Sequence, residues 1–267
     1  MSYVEVEPGV KVFVQDWGSG KPIVFIHGWP LSHRMFEYQF AQLPKHGYRC
    51  IGIDLRGYGQ SDKPWGYYNY DIFADDVKKV LDALDLRDIT LAGFSMGGAV
   101  TIHYMARHKG DRVTKLALLG AAAPCLTKKP DFPQGLDNAP YDDFIKACYT
   151  DRAQMNADFG NATFYTPLSP KLSDWFTDLG MEASPHATAM CVVALRDSDL
   201  RLDLAAITVP TAIFHGVHDQ IAPFGITAEV MNKGIEGSKL IRFENSGHGL
   251  FYDEKDKLNE ELMRFVG

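Results

Sequence analysis

No run in this chain of 267 residues approaches the ~18 uninterrupted apolar residues that a bilayer-spanning helix needs, so a membrane span is not expected. The opening stretch, MSYVEVEPGV, lacks the basic and apolar regions of a signal peptide, and the expected location is cytoplasmic. Positive charge is also sparse. Lys and Arg number 27 against 34 Asp and Glu, for a net charge of −7, and no basic run or stripe gathers them. Backbone phosphates require clustered cations, so nucleic acid is not an expected partner. Cysteine is scarce as well: only Cys50, Cys125, Cys148 and Cys191, with no C-x-x-C spacing. They read as small buried or free thiols, which argues against disulfides and against a metal site. Internal repeats, linkers and low-complexity tracts are absent.

What is present is the composition of an ordinary globule, 46% apolar and 23% charged, long enough to bury a sizeable core. Val4 to Glu7 and Lys11 to Asp16 alternate apolar with polar residues around Pro8-Gly9, which predicts an antiparallel hairpin at a sheet edge. Pro22 to Ile26, Arg49 to Ile53, Ile89 to Ala92, Val113 to Leu119, Thr211 to His215 and Lys239 to Phe243 read as strands, the first three as buried ones. Between them helical patterns fall at His33 to Leu43, Asp71 to Leu86, Met96 to Arg107, Ile226 to Asn232 and Asp253 to Phe265. Such alternation predicts a mostly parallel, doubly wound α/β sheet whose ligands sit beyond the carboxyl ends of its strands. From Gly120 to about Ala206 the alternation stops and prolines and aromatics take over, among them Pro133, Phe144, Phe159, Phe164 and Trp175. This stretch is expected to be a helical cap inserted into one domain spanning residues 1–267, because the strand pattern resumes after it.

The sequence 91–99, LAGFSMGGA, places Ser95 at a strand-to-helix turn between Gly93 and Gly97. A glycine-rich connection would also satisfy this pattern; the position after an apolar strand and before a helix is what suits a nucleophile. Small neighbours let a tight turn lift the hydroxyl clear, and the turn aims the Met96 amide toward a helix N-terminus. A serine alcohol is a poor nucleophile at neutral pH and needs an imidazole and a carboxylate. With this elbow the chain order is nucleophile, acid, histidine. Of nine histidines only His248 follows Asp219, and it sits in a Ser-Gly-His-Gly turn past a strand. Asp219 is the chosen acid. Asp197, Asp199 and Asp203 precede their strand and belong with the cap, while Glu244 ends a strand and is expected to face water. A second oxyanion donor is expected from the turn His27-Gly28-Trp29-Pro30, as the Trp29 amide. His27 itself reads as a structural hydrogen-bonding residue.

On these residues the chain resembles the α/β-hydrolases, and within them the bacterial arylesterases and the cofactor-free haloperoxidases, also called perhydrolases. The similarity runs through HGWPLSHRMFEYQ from His27, GIDLRGYGQSDKP from Gly52, YDIFADDVKKVL from Tyr70, AGFSMGGAV from Ala92, HGVHDQIAP from His215 and NSGHGL from Asn245. It implies an α/β-hydrolase fold of about eight strands, Ser95, Asp219 and His248 as catalytic residues, and the Trp29 and Met96 amides as oxyanion hole. It implies no cofactor. His218 departs from the acidic residue expected in many relatives and adds a titratable neighbour to Asp219.

The expected activity is hydrolysis of a small neutral or aryl ester through an acyl-enzyme. The alternatives are peroxide in place of water, for which Pro30 speaks because the haloperoxidase-like relatives resemble this chain there, and cleavage of lactones or cyclic amides. A binding or signalling protein on the same fold is the non-enzymatic alternative. The expected partner is a small-molecule ester, with a homo-oligomer left open.

Overall fold

Apolar runs covered on both faces become the interior of a single eight-stranded sheet, and the two strands that alternate become its antiparallel edge. The computed structural model describes residues 2–267. In chain order the elements are β1 (Ser2–Glu7), β2 (Val10–Gly18), β3 (Lys21–Ile26), α1 (Glu37–Phe40), β4 (Tyr48–Ile53), α2 (Tyr70–Ala83), β5 (Ile89–Phe94), α3 (Met96–Arg107) and β6 (Val113–Leu119). Then follow α4 (Ala139–Thr150), α5 (Arg152–Thr163), α6 (Pro170–Met181), α7 (Pro185–Asp197), β7 (Thr211–Gly216), α8 (Ala228–Gly234), β8 (Lys239–Phe243), α9 (Leu250–Asp253) and α10 (Lys255–Val266).

The strand order is β1-β2-β4-β3-β5-β6-β7-β8. The β1–β2 and β2–β4 pairs are antiparallel and all the others parallel. Every residue of β5 and β7 is buried. In the middle of the sheet Val24 pairs with Ile51 on one side and Leu91 on the other, and these three side chains share one face and one core cluster. One layer holds α2 and α3, with Phe73, Val77, Val80 and Leu81 buried on α2, whose first turn is capped by the Asn69 side chain accepting from the Ile72 amide at 3.0 Å. The other holds α1, α9 and α10, packed as Phe40, Phe251, Leu258 and Leu262, with Phe36 of the turn before α1, against Phe25 and Phe214. Among the described residues no helix is long and apolar enough to cross a membrane. All four cysteines are free and buried, and burial pushes the thiols of Cys50 and Cys191 up to about 12.

Two predicted helices differ from what forms. The one expected over 33–43 breaks into a 3₁₀ turn at His33–Phe36, the single turn of α1, and a second 3₁₀ turn at Leu43–His46. Asp54 takes the His33 amide at 2.8 Å and so sets the start, while Pro44 has no amide with which to continue an α-helix. The one expected over 253–265 is α9 and α10, parted at Glu254. There the Asp253 and Glu254 carboxylates turn back to amides of the preceding loop. In the stretch 120–206, four helices fall between 139 and 197 with 164–169 and 182–184 as connections, and 120–138 is irregular, tied by isolated bridges such as Thr127↔Leu136.

Four strand ends converge on one side of the sheet. The turn after β3 holds Trp29, the end of β5 holds Ser95, the loop after β7 holds Asp219 and the loop after β8 holds His248. Helices α4 to α7 lie between β6 and β7 in sequence, and α4, α5 and α7 contribute to the cavity beside Ser95.

Candidate active site

Ser95 sits between the last residue of β5 and the first of α3 with φ 53° and ψ −119°, a strained backbone for a residue with a side chain. The surroundings hold it there. A Cβ on Gly97 would stand 2.3 Å from the Ile26 carbonyl oxygen, and one on Gly93 would stand 2.4 Å from that of Gly97, so strand and helix meet only because both positions are glycine. The Ser95 amide donates to the Leu119 carbonyl at 3.0 Å, and its carbonyl accepts from the Gly98 and Ala122 amides. The hydroxyl is thereby pushed out beyond the sheet.

Ser95 Oγ lies 2.8 Å from His248 Nε2, and His248 Nδ1 lies 2.7 Å from Asp219 Oδ2. All three residues are at most 5% exposed. Asp219 Oδ1 accepts the amides of Ile221 at 2.9 Å and Ala222 at 2.8 Å, which leaves Oδ2 for imidazole. Burial alone would raise the Asp219 carboxyl. The coulombic influence of His248 and the hydrogen bonds from His215 and His248 outweigh it and hold the group well below the usual carboxylate range. An ionised carboxylate only accepts, so Nδ1 of His248 carries the proton and Nε2 presents a lone pair to the serine hydroxyl. The His248 loop is braced by Glu254, whose Oε2 accepts the Asn245 amide at 2.9 Å and the Ser246 hydroxyl at 2.8 Å.

His215 escapes sequence reasoning. Its Nε2 lies 3.1 Å from Asp219 Oδ2 and 2.8 Å from the Ala222 carbonyl, so the acid is served by two buried imidazoles. The sequence singles out His218 as the neighbour. That residue is exposed, its ring stacked on Tyr165 at 4.2 Å and 7°. The usable signal was the position of His215 at a strand end four residues before the acid, like that of His27 before its own turn. His27 is wholly buried and occupied at both nitrogens: the Leu55 amide donates to Nε2 at 3.0 Å, and Nδ1 lies 3.0 Å from the Gly28 carbonyl. Desolvation lowers its pKa and keeps it neutral. Glu244 is exposed and paired with Arg242 at 2.9 Å.

The two amides expected to receive an oxyanion sit at two chain turns beside Ser95. Met96 is the first residue of α3, so its amide has no acceptor within the helix. The Trp29 amide follows Gly28, where a Cβ would be 2.9 Å from Ser95 Cβ, so this turn runs directly against the serine. Among the described residues neither amide is donated to a backbone oxygen outside the regular elements. The Trp29 indole reaches the other way, donating to the Thr188 carbonyl of α7 at 2.9 Å and standing edge-on to Phe159. Above these groups lies a cavity of about 380 Å³ whose lining includes Trp29, Ser95, Leu126, Tyr141, Phe144, Phe159, Leu195 and Ile221. It is apolar apart from Asp137, Gln220 and two hydroxyls. Among the described residues no group of three or more His, Cys, Asp or Glu side chains is arranged to hold a metal ion.

Residues 21–255 match a family model described as alpha/beta hydrolase fold. The chain is 53% identical over 263 residues to the AB hydrolase superfamily protein YisY of Bacillus subtilis (strain 168), covering 98% of each. It is 35% identical to a non-heme haloperoxidase of Rhodococcus erythropolis, covering 100% of this chain and 99% of the other. Its structure matches that of an esterase (EaEST) from Exiguobacterium antarcticum with a TM-score of 0.96 and 44% identity, over 99% of this chain and 98% of that one.

Proposed function

The chain belongs to the α/β-hydrolase family and is a hydrolase of the esterase and haloperoxidase kind, and on that premise we propose that it cleaves small carboxylic esters with Ser95, His248 and Asp219 as its catalytic residues. The observation that carries this reading is the unbroken chain of contacts, 2.8 Å and then 2.7 Å, from a strained serine to an imidazole to a buried carboxylate at the floor of an apolar cavity. His248 Nε2 takes the Ser95 proton as Oγ attacks the acyl carbon, and Asp219 steadies the imidazolium that forms. The tetrahedral oxyanion is received by the Trp29 and Met96 amides, donors fixed before reaction and therefore free of reorganisation cost; one such donor is typically worth about 10²- to 10³-fold in rate. Collapse expels the alcohol, which takes its proton from His248. A water then gives its proton to His248, attacks the acyl-enzyme and releases the carboxylic acid with Ser95 restored. The aromatic and aliphatic lining favours neutral alkyl or aryl esters, and the volume favours small ones.

A second reading of the same acyl-enzyme rests on the full-length similarity to a haloperoxidase. Hydrogen peroxide replaces water in the last step, and the product is a peracid able to oxidise halide. A panel of p-nitrophenyl and ethyl esters and lactones, run with and without peroxide, separates the two. Ester turnover that Ser95→Ala lowers by roughly 10⁴- to 10⁶-fold supports the assignment, and turnover left at the wild-type level overturns it. Bromination of monochlorodimedone that needs both peroxide and a carboxylate, and is lost in the same variant, supports the perhydrolase reading; its absence leaves hydrolysis alone.

A further inference from the structure

We infer that Asp253 is a positioning residue for this reaction: its carboxylate fastens the cap segment 163–166 to the loop carrying His248, so that the base is held in place by the cap. The inference rests on the assignment of His248 as base. Asp253 is the last residue of α9, five positions beyond His248. Its Oδ2 accepts the Gly247 amide at 3.0 Å and the Tyr165 amide at 3.0 Å, and its Oδ1 accepts the Thr166 amide at 3.2 Å. One side chain therefore joins the residue next to the base with two residues of the cap. On the other side of His248, the Gly249 amide donates to the Thr163 carbonyl at 2.8 Å. Both chain neighbours of the base are thus bonded to the same four-residue segment, one directly and one through Asp253.

The packing agrees. A Cβ on Gly249 would meet the Phe164 ring at 2.4 Å, and that ring stands edge-on to Phe251 of α9 at 5.8 Å. The same segment also touches the acid's loop, because Tyr165 stacks on His218, whose amide donates to the Ser246 carbonyl at 3.1 Å. Three amides need acceptors on both oxygens. Only a carboxylate offers them; an asparagine has one acceptor oxygen and would turn an NH₂ toward at least one N–H. Burial raises the Asp253 carboxyl and Glu254 adds to this, against the pull of the three amides. A charge kept half-buried on the wrong side of its ordinary value is costly for a residue whose only task is to end a helix.

Asp253→Asn, in the full chain with p-nitrophenyl acetate, tests this. A displaced base lowers the chemical step while leaving the cavity intact, so kcat is expected to fall about 10- to 100-fold with KM within about twofold, and Asp253→Glu to restore part of it. Wild-type kcat in a folded Asp253→Asn, with Ser95→Ala inactive, overturns the inference while leaving the nucleophile assigned. Activity in Ser95→Ala would instead remove the reading beneath it. Should Asp253→Asn fail to fold, Tyr165→Pro decides at a half-exposed position, because it removes the amide that donates to Asp253 Oδ2 while the extended Phe164 before it tolerates a proline: kcat lowered severalfold with KM kept supports the clamp, and wild-type kcat overturns it.

Discussion

Asp219 is buried yet ionised, and its environment sets how the protein responds to acid. Because the folded-state value lies below that of an ordinary carboxyl near pH 4, its contribution to stability is present above that pH and is lost as pH falls toward the folded value. Asp219→Asn removes this term. Urea denaturation at pH 5 and pH 3 is expected to show a smaller loss of stability for the variant than for the wild type, and equal losses would contradict the ionised, doubly bonded carboxylate. The same variant is expected to lose on the order of 10⁴ in kcat, since an amide there supports the wrong imidazole tautomer. Residue types were the legible part of this site. A serine between two glycines, an aspartate and a later histidine stand in the chain order expected with this elbow, and the structure brings all three together. His215 was not legible, because which of two nearby histidines faces the acid depends on side-chain direction at the end of β7, and His218 turns away to stack on Tyr165.

The elbow between β5 and α3 is a packing solution. Gly97 lies against two carbonyl oxygens of the turn after β3, with an added Cβ 2.3 Å from Ile26 O and 2.5 Å from His27 O. Backbone atoms of a central strand cannot step aside as a flexible side chain can. Gly97→Ala is therefore expected to cost about 1–3 kcal/mol or more and to displace the oxyanion turn, lowering both the urea midpoint and esterase turnover. An unchanged midpoint with full activity would contradict this close approach. The strands were readable because burial on both faces selects unbroken apolar, β-branched runs, and α3 and β6 form within the limits that the pattern set. The helices that broke were unreadable for a tertiary reason. Asp54 captures the His33 amide, and Asp253 and Glu254 capture amides of the His248 loop, and no periodicity in the local sequence reports a side chain bonding to a distant backbone.

Across the whole molecule, the groups proposed to react come from the ends of β3, β5, β7 and β8, and much of the cavity lining above Ser95 comes from the segment between β6 and β7. The stretch 120–206 was legible as an interruption of the strand pattern, but its four helices were not separable. On α5 only Met155, Asn156 and Thr163 are buried, so it shows no continuous apolar stripe, and the cap aromatics divide between the cavity, as Phe144 and Phe159 do, and the packing of Phe164 and Phe176 on Phe251. The central claim is that these separate parts activate one hydroxyl. Covalent labelling with a fluorophosphonate, followed by intact mass and peptide mapping, tests it most directly. The expected result is one adduct per chain, on Ser95, absent in Ser95→Ala and formed far more slowly in His248→Ala. An adduct on another residue, or labelling of Ser95 at an undiminished rate without His248, would contradict it.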